Sequence, residues 1–334
     1  MKAIVYDSYG PPDVLELREI DRPVVRDDQV FVRVRAASLN PADWHFMRGL
    51  PYLVRLINGL RNPRKATVLA SDLAGQVEAV GKNVSSFRPG AEVFGRTRSA
   101  HRPDPSAEIA TGGCAEYACI SEDLLAPKPT SLTFEQAAAV PLAALTALQA
   151  LRDTGNVQPG QKVLINGASG GVGTFAVQIA KAFGAEVTGV CSTRNVDMVR
   201  SIGADQVVDY TQEDFTKSGQ RYDLIVDTAD RSLSDCRRAL TANGTLVVIG
   251  GTAGRWIDGL ARAYQARVLS PLSSQRLRPF LTKWSKQDLH FVTDLIEAGK
   301  VTPVIDRTYA LGDAPEAMRY LEEGHARGKV VIAV

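Results

Sequence analysis

Cysteine and histidine are scarce in this chain. Each occurs four times in 334 residues, and Cys114 and Cys119 form the only close pair of thiols. So few cysteines do not build a disulfide framework. The spacing of that pair, with no further cysteine ligand near it, does not match a zinc site either. We therefore expect free, buried thiols in a reducing compartment, and no metal ion.

Long apolar runs and net charge are lacking as well. No stretch reaches the roughly 18 consecutive apolar residues that cross a bilayer, and the chain opens on a strand-like run rather than a basic leader. The 39 basic and 37 acidic side chains leave a formal charge of +2. Neither nucleic acid nor a membrane is therefore predicted as a partner. The composition favours a cytoplasmic protein that acts on a small molecule.

The hydrophobic pattern divides the chain into two kinds of segment. Residues 1–126 form short strand-like runs separated by glycine and proline, whereas strands alternate with helical patterns from residue 127 onward. Such alternation requires parallel pairing with right-handed crossovers. The closing run KVVIAV is a strand that we expect to return to the first half. We predict an α/β protein with a doubly wound sheet over 127–281 and a discontinuous β-rich domain over 1–126 and 282–334.

A glycine-rich turn, ASGGVG, stands between a predicted strand and a helix predicted over residues 171–183. Ala168 occupies the place of the first glycine of a dinucleotide-binding fingerprint. Gly170 would let the backbone approach a pyrophosphate, and Gly173 would let the helix lie close to the sheet. Because the flanking elements are in the required order, we predict dinucleotide binding, with a glycine-rich packing turn as the alternative. The predicted contacts are Ser169, Gly170, Gly171, Val172 and Gly173.

The end of the second strand of this unit indicates which dinucleotide binds. NAD sites usually carry Asp or Glu there to bind the ribose 2′-hydroxyl, whereas this chain has Cys191, followed by Ser192 and Arg194. Arg194 can pair with a 2′-phosphate and Ser192 can donate to it. We therefore predict NADP(H), the alternative being that Arg194 is an ordinary solvated side chain. Tyr210, which closes the next predicted strand, either flanks the same phosphate or packs on the surface.

Several motifs in order resemble the medium-chain dehydrogenase/reductase superfamily, specifically its zinc-free quinone oxidoreductase-like branch. The motifs are AASLNPADWHFMRG, ASDLAGQVEAVG, GGCAEYACIS, AAAVPLAALTALQAL, INGASGGVG, IGADQVVDY and GHARGKVVI, which together span essentially the full chain. The resemblance implies a Rossmann domain, a GroES-like catalytic domain and an active cleft between the two. It also implies a homodimer formed through the strand around ARVLSPL.

Compared with the zinc alcohol dehydrogenases of that superfamily, the ligand positions are changed. Asn40 stands in place of a cysteine, and Ser71 and Asp72 stand in place of a His–Glu pair; the four-cysteine lobe is missing. Asn, Ser and Asp donors do not make a tight tetrahedral zinc site. We therefore expect hydride transfer without metal, from NADPH to quinones or other α,β-unsaturated carbonyl compounds, which are already electrophilic.

The resemblance also assigns candidate site residues outside the glycine-rich turn. Asn40 and Asp43 are expected beside the nicotinamide, unless they only cap a turn. Tyr52 is the candidate proton donor, with an aromatic wall of an apolar pocket as the alternative. Further cofactor contacts implied by the resemblance are Thr146, Gly250, Gly251, Thr252, Arg327 and Lys329. The alternatives for two of these are a hydrogen bond within its helix for Thr146 and an exposed charge at a strand start for Lys329.

Two other functions remain open from the sequence. One is a broader enone or enoyl-thioester reductase. The other is an NADPH-binding protein without catalysis, which would act as a sensor or bind a partner. Turnover of quinones, enals and enoyl thioesters distinguishes them.

Overall fold

The computed structural model describes residues 1–97, 109, 111–249 and 274–334. Within these ranges the strands are β1 (Lys2–Tyr6), β2 (Glu16–Glu19), β3 (Gln29–Leu39), β4 (Thr67–Val68), β5 (Asp72–Val80), β6 (Glu92–Arg96), β7 (Tyr117–Ser121), β8 (Leu125–Pro127), β9 (Lys162–Asn166), β10 (Glu186–Cys191), β11 (Gln206–Asp209), β12 (Tyr222–Asp227), β13 (Leu240–Ile249), β14 (Arg276–Phe280), β15 (Ile305–Ala310) and β16 (Lys329–Ala333). The α-helices are α1 (Pro41–Arg48), α2 (Leu53–Asn58), α3 (Phe134–Ala138), α4 (Pro141–Gln149), α5 (Gly171–Ala182), α6 (Val196–Ser201), α7 (Leu233–Arg238), α8 (Lys286–Glu297) and α9 (Ala314–Glu322).

The chain divides into two compact units. The first comprises Met1–Leu142, Trp284–Thr293 and Pro303–Val334, and the second comprises Ala143–Lys283 and Asp294–Thr302. The sequence pattern placed the change near residue 127, but α3 packs against β3 and β5 and therefore extends the first unit. The predicted limits of the catalytic domain, 1–126 and 282–334, and of the cofactor-binding domain, 127–281, stay a prediction.

The second unit is built on a parallel sheet. Its described strands follow the order β11-β10-β9-β12-β13-β14, and every neighbouring pair is parallel. The central strand β9 is mostly apolar and is buried after its first residue, as expected for a strand covered on both faces. α5 crosses from β9 to β10 and packs on both. The predicted doubly wound α/β class is confirmed.

The first unit is β-rich. Its larger sheet has the strand order β15-β16-β3-β5-β6-β8, with β7 also paired to β3, and a smaller sheet has the order β2-β1-β4. The terminal strand β16 pairs antiparallel with β3 and parallel with β15. The last strand of the chain is thus joined to a strand near its beginning, which makes this unit discontinuous in sequence.

Part of the fold was not predicted from the pattern. Two stretches of the β-rich half, residues 50–66 and 97–112, are rich in arginine, proline and small polar residues and show no regular pattern. The first nevertheless contains α2, a short helix formed by Leu53–Asn58. Its six residues are too few to show a helical period reliably. Most of the other irregular stretch, 97–112, lies outside the described residues. Within the described ranges, no helix combines the length and apolar character needed to cross a membrane.

Candidate functional site

The glycine-rich turn joins β9 to α5, as predicted. Gly167 has φ +84, the left-handed conformation that glycine adopts without strain. It therefore supplies the tight turn one residue before Ala168, which explains how the fingerprint works without its first glycine. A Cβ on Gly173 would lie 2.0 Å from the carbonyl oxygen of Gly167. Gly173 is thus required by the close approach of α5 to the turn.

Gly170 differs from these two glycines. Among the described residues, a Cβ there would meet only the oxygen of Gly167, at 3.4 Å, so this part of the chain has room for a side chain. Gly170 is the N-cap of α5 and Gly171 is its first residue. The first amides of an α-helix have no intrahelical acceptor, and the helix dipole adds partial positive charge at that end. Together with Gly171 and Val172, the turn has the form of a helix start that is able to bind an anion.

The second strand, β10, ends at Cys191 without a carboxylate. Cys191 is buried, and burial raises the pKa of its thiol to about 11. The thiol is therefore protonated and unreactive near neutral pH. Its neighbour in β11 is Asp209, directly across the parallel pair. A carboxylate thus lies one strand away from the end of β10.

Asp209 is occupied by local hydrogen bonds. Its carboxylate accepts from Thr193 Oγ1 at 2.6 Å, from Thr211 Oγ1 at 2.7 Å and from Gln212 Nε2 at 3.0 Å. The bond from Thr193 is the main cause that lowers the pKa of Asp209. The sequence pattern did not single out Asp209, although it lies within a predicted strand.

The three polar residues predicted after β10 and β11 are placed around the same sheet edge. Ser192 follows β10 and is half-buried, and Arg194 is exposed in a short 3₁₀ turn formed by Thr193–Asn195. Tyr210 is 58% exposed, and its amide donates to the carbonyl oxygen of Cys191 at 3.0 Å. The backbone therefore brings Tyr210 beside the end of β10.

Asn195 was missed by the sequence analysis. It is buried, and its Nδ2 donates to Ser169 Oγ and to Ser192 Oγ, at 3.1 Å each. One side chain thus links the glycine-rich turn to the end of β10. A lone asparagine at a helix start normally predicts an exposed cap, so the sequence carried no signal for this contact.

In the first unit, a buried polar cluster joins three strands. Lys329 Nζ donates to Asn40 Oδ1 at 2.5 Å and to the carbonyl oxygen of Leu39 at 3.0 Å. Asn40 Nδ2 donates to Asp72 Oδ2 at 2.9 Å. Burial raises the pKa of Asp72 and lowers that of Lys329, and the charge of each opposes the shift of the other. The alternative of Lys329 as an exposed charge is wrong, because the residue is only 3% exposed.

Asn40 and Asp43 also cap α1. Asn40 is the N-cap, and its amide donates to Asp43 Oδ2 at 2.8 Å. The turn-capping alternative is therefore observed, and it coexists with the contacts that Asn40 makes to Lys329 and Asp72. Nearby His45 is largely buried, and burial lowers its pKa to about 4. His45 is thus uncharged at neutral pH.

The remaining candidates are dispersed. Tyr52 is the half-buried N-cap of α2, with the Arg55 guanidinium 4.8 Å from its ring centre. Thr146 is buried, and its hydroxyl lies 2.6 Å from that of Thr282. This contact joins Thr146 to a residue outside its own helix. Arg327 is exposed. Gly250, Gly251, Thr252 and the ARVLSPL strand lie outside the described residues.

Comparison with known proteins identifies the family. The model described as the alcohol dehydrogenase GroES-like domain matches residues 26–130, and the one described as zinc-binding dehydrogenase matches residues 202–332. A chloroplast envelope quinone oxidoreductase homolog from Arabidopsis thaliana is 33% identical over 99% of this chain and 98% of its own length. The chain belongs to the medium-chain dehydrogenase/reductase superfamily. Within it, the chain lies in the quinone oxidoreductase-like branch.

Other members of the superfamily agree with this placement. A 2-methylene-furan-3-one reductase from Solanum lycopersicum is 33% identical over 99% of this chain and 79% of its own length. The quinone oxidoreductase from Coxiella burnetii superposes with a TM-score of 0.85 at 32% identity, covering 100% of this chain and 99% of that one. The Escherichia coli quinone oxidoreductase complexed with NADPH gives 0.82 at 25% identity, covering 100% of both chains. This member of the superfamily is an NAD(P)H-dependent oxidoreductase.

Proposed function

We propose that the chain is an NADPH-dependent, zinc-independent reductase of quinones or other α,β-unsaturated carbonyl compounds. The observation that carries the cofactor preference is the end of β10, where Cys191, Ser192 and Arg194 stand without a carboxylate beside the glycine-rich turn. The proposed cofactor contacts are Thr146, Ser169, Gly170, Gly171, Val172, Gly173, Ser192, Arg194, Tyr210, Gly250, Gly251, Thr252, Arg327 and Lys329. Bound NADPH would supply the hydride.

The preference for NADPH over NADH follows from charge. Arg194 is exposed at the end of β10, where its guanidinium can pair with a 2′-phosphate. Asp209 is the opposing negative charge at this edge, but its oxygens already accept from Thr193, Thr211 and Gln212.

Replacing Arg194 with alanine tests this preference. Arg194→Ala should raise the KM for NADPH by about tenfold or more, since a charge-assisted hydrogen bond contributes about 1.5–3 kcal/mol. The KM for NADH should change little. Arg200→Ala, which removes an exposed arginine near the end of α6, serves as the charge-matched control. An equal loss for both cofactors would show that Arg194 does not bind the 2′-phosphate.

Zinc does not fit the polar cluster of the first unit. The cluster offers amide and carboxylate oxygens rather than the thiolates or imidazoles that hold zinc tightly. Asn40 Oδ1 accepts a hydrogen bond from the Lys329 ammonium, which would repel a cation. We therefore derive no step through a metal. Because one matching family is described as zinc-binding, metal analysis of the purified protein is the direct test, and one tightly held zinc per chain would contradict the proposal.

The chemistry of the acceptor explains why no metal is needed. When hydride adds to the carbon of a conjugated carbonyl compound, its electron pair forms the new C–H bond. The π electrons of the acceptor then move onto the carbonyl oxygen, and the resulting enolate takes a proton. A hydrogen-bond donor near that oxygen stabilises the developing charge. We propose that Tyr52 is this donor and that Asn40 and Asp43 line the acceptor site. Since Asn40 is bonded to Lys329 and Asp72, its contribution is to hold the cluster in place.

Phenylalanine at position 52 distinguishes a proton donor from an aromatic wall. If the Tyr52 hydroxyl donates the proton, Tyr52→Phe should lower kcat by about 10²-fold or more while leaving NADPH binding unchanged. An aromatic wall residue would retain kcat, because the ring is kept.

The decisive experiment for the whole proposal is consumption of NADPH. Purified protein is mixed with NADPH or NADH and a panel of quinones, 2-alkenals, enoyl thioesters and saturated ketones, and the loss of nicotinamide absorbance is followed. We expect faster turnover with NADPH than with NADH, and with quinones or enals than with saturated ketones. Tight NADPH binding without turnover of any acceptor would instead support the non-catalytic sensor.

A reductase that prefers enones is the second candidate. The relative from Solanum lycopersicum is named a 2-methylene-furan-3-one reductase, and its name describes an activated alkene rather than a quinone. In the same assay, a kcat/KM for enones or enoyl thioesters well above that for quinones would favour this function.

We also propose a homodimer and a cytoplasmic location. Light scattering on the purified chain tests the dimer, and fractionation of the source cells tests the location. A monomer at all concentrations, or recovery with an organelle, would overturn the respective statement.

A further inference from the structure

Asn195 connects the two segments that the proposed function assigns to phosphate binding. It closes the 3₁₀ turn after β10 and is only 4% exposed. Its Nδ2 donates to Ser169 Oγ and Ser192 Oγ at 3.1 Å each. Ser169 precedes the start of α5, and Ser192 directly follows β10. A single buried amide therefore sets the positions of two hydroxyls on different loops.

The direction of these hydrogen bonds determines whether the two serine hydroxyls can still donate to another partner. An amide nitrogen only donates, so both serine oxygens act as acceptors and each hydroxyl keeps its own proton for another partner. No hydrogen bond donated by either hydroxyl is found among the described residues. Both serines are half-buried rather than enclosed, so a ligand beside the turn can reach them. Two O–H donors near a helix start are suited to phosphate oxygens.

The other atom of the Asn195 amide supports a role beyond packing. Asn195 Oδ1 is buried and has no hydrogen-bond partner. Leaving a buried polar atom unpaired destabilises the folded chain. Flipping the amide would leave Nδ2 unpaired instead of Oδ1. One buried polar atom therefore destabilises the folded chain in either orientation. An apolar side chain of similar volume would avoid it, but would not orient the hydroxyls.

We propose that Asn195 is a specificity-determining positioning residue, which aligns Ser192 to donate to the 2′-phosphate of NADP(H) and Ser169 to donate to its pyrophosphate. The proposal rests on the proposed binding of NADP(H) at this turn. Asn195 itself does not touch the cofactor. It acts by holding both hydroxyls as acceptors, so that their protons remain available to the phosphates.

The test compares both cofactors in three variants. Asn195→Ala removes the donor and should raise the KM for NADPH by roughly tenfold, with a change of less than about threefold for NADH and little change in kcat. Asn195→Asp is nearly isosteric but only accepts, so it draws the serine protons toward itself and adds negative charge. Its NADPH penalty should exceed that of Asn195→Ala. Ser192→Ala alone should reproduce most of the loss for NADPH.

A double variant separates positioning from general disruption. If Asn195 acts through Ser192, adding Asn195→Ala to Ser192→Ala should change the NADPH-to-NADH selectivity by less than about twofold. Gln178→Ala is the matched control, because Gln178 is a buried amide of α5 bonded to the backbone of Thr302. It should lower thermal stability without moving the selectivity.

The outcomes distinguish the two proposals. Wild-type protein that binds NADH as tightly as NADPH refutes the proposed cofactor preference, and this inference with it. Wild-type protein that selects NADPH, with Asn195→Ala and Asn195→Asp retaining that selectivity, refutes the Asn195 proposal alone. If the losses of NADPH selectivity from Asn195→Ala and Ser192→Ala multiply in the double variant, the Asn195 proposal is also refuted. Because Asn195→Asp keeps the shape of the side chain, it provides the readout if Asn195→Ala does not fold.

Discussion

Replacing Lys329 with methionine tests whether the buried polar cluster is held by charge. The ammonium donates to Asn40 Oδ1 and to the carbonyl of Leu39, and Asp72 is completely buried nearby. Methionine keeps the length of the side chain but leaves Asp72 without this cation. Removing one partner of a buried charge pair costs up to about 3–5 kcal/mol, and here Asn40 bridges the two charges while Arg96 remains 3.9 Å from Asp72. For a domain of about 150–250 residues, this loss lowers the Tm by up to about 6–20 °C.

The assay is thermal and urea unfolding of Lys329→Met, Asp72→Asn and the double variant, followed by circular dichroism. Asp72→Asn keeps an oxygen that can accept from the Leu142 amide, a bond of 3.1 Å in the structure. Since the double variant leaves no unpaired carboxylate, its loss of stability should be at least about 1 kcal/mol smaller than the sum of the single losses. A Lys329→Met loss below about 1 kcal/mol, or strictly additive losses, would refute this account of the cluster.

Two further predictions concern glycine and histidine positions. Gly173→Ala should destabilise the chain by about 1–3 kcal/mol, because its Cβ would overlap the Gly167 oxygen. Gly170→Ala should lower the free energy of unfolding by less than about 1 kcal/mol but weaken NADPH binding. Calorimetry measures both the unfolding and the binding. His45 has a folded-state pKa of about 4 against an ordinary 6.5. As the pH falls from 6.5 to 4, the unfolded chain takes up the proton first, so His45 should lower stability by up to about 3 kcal/mol. Carboxylates titrate in the same range, so His45→Gln should reduce the slope of Tm against pH rather than remove it. A wild-type Tm independent of pH across this range would contradict the second prediction.

Much of the nucleotide-binding unit was predictable because its signals are local. The run KVLIN, the turn that follows and α5 are contiguous in sequence, and each has a hydrophobic period or a glycine that specifies its conformation. The left-handed conformation at Gly167 was not predicted, since the fingerprint does not show which glycine has positive φ. The short helix α2 was missed because six residues do not establish a period.

The polar contacts across strands were not predictable in the same way. Lys329 and Asn40 are 289 positions apart in sequence, and their contact depends on the antiparallel pairing of β16 with β3. No spacing rule links residues so distant along the chain. Asn195 is similar, because its burial results from the way that the turn after β10 packs against the glycine-rich turn.

The sequence by itself determined the alternation of strands and helices, the glycine-rich helix start and the absence of a carboxylate directly after β10. These depend on short-range backbone preferences and on which side chain occupies a position. Only the tertiary structure decided that Lys329 is buried against Asn40 and that Asn195 holds two serines, because burial and partner choice arise when distant segments exclude water from one another. The local code therefore predicts where a cofactor would bind, whereas the packing of remote residues determines which partners the polar groups have.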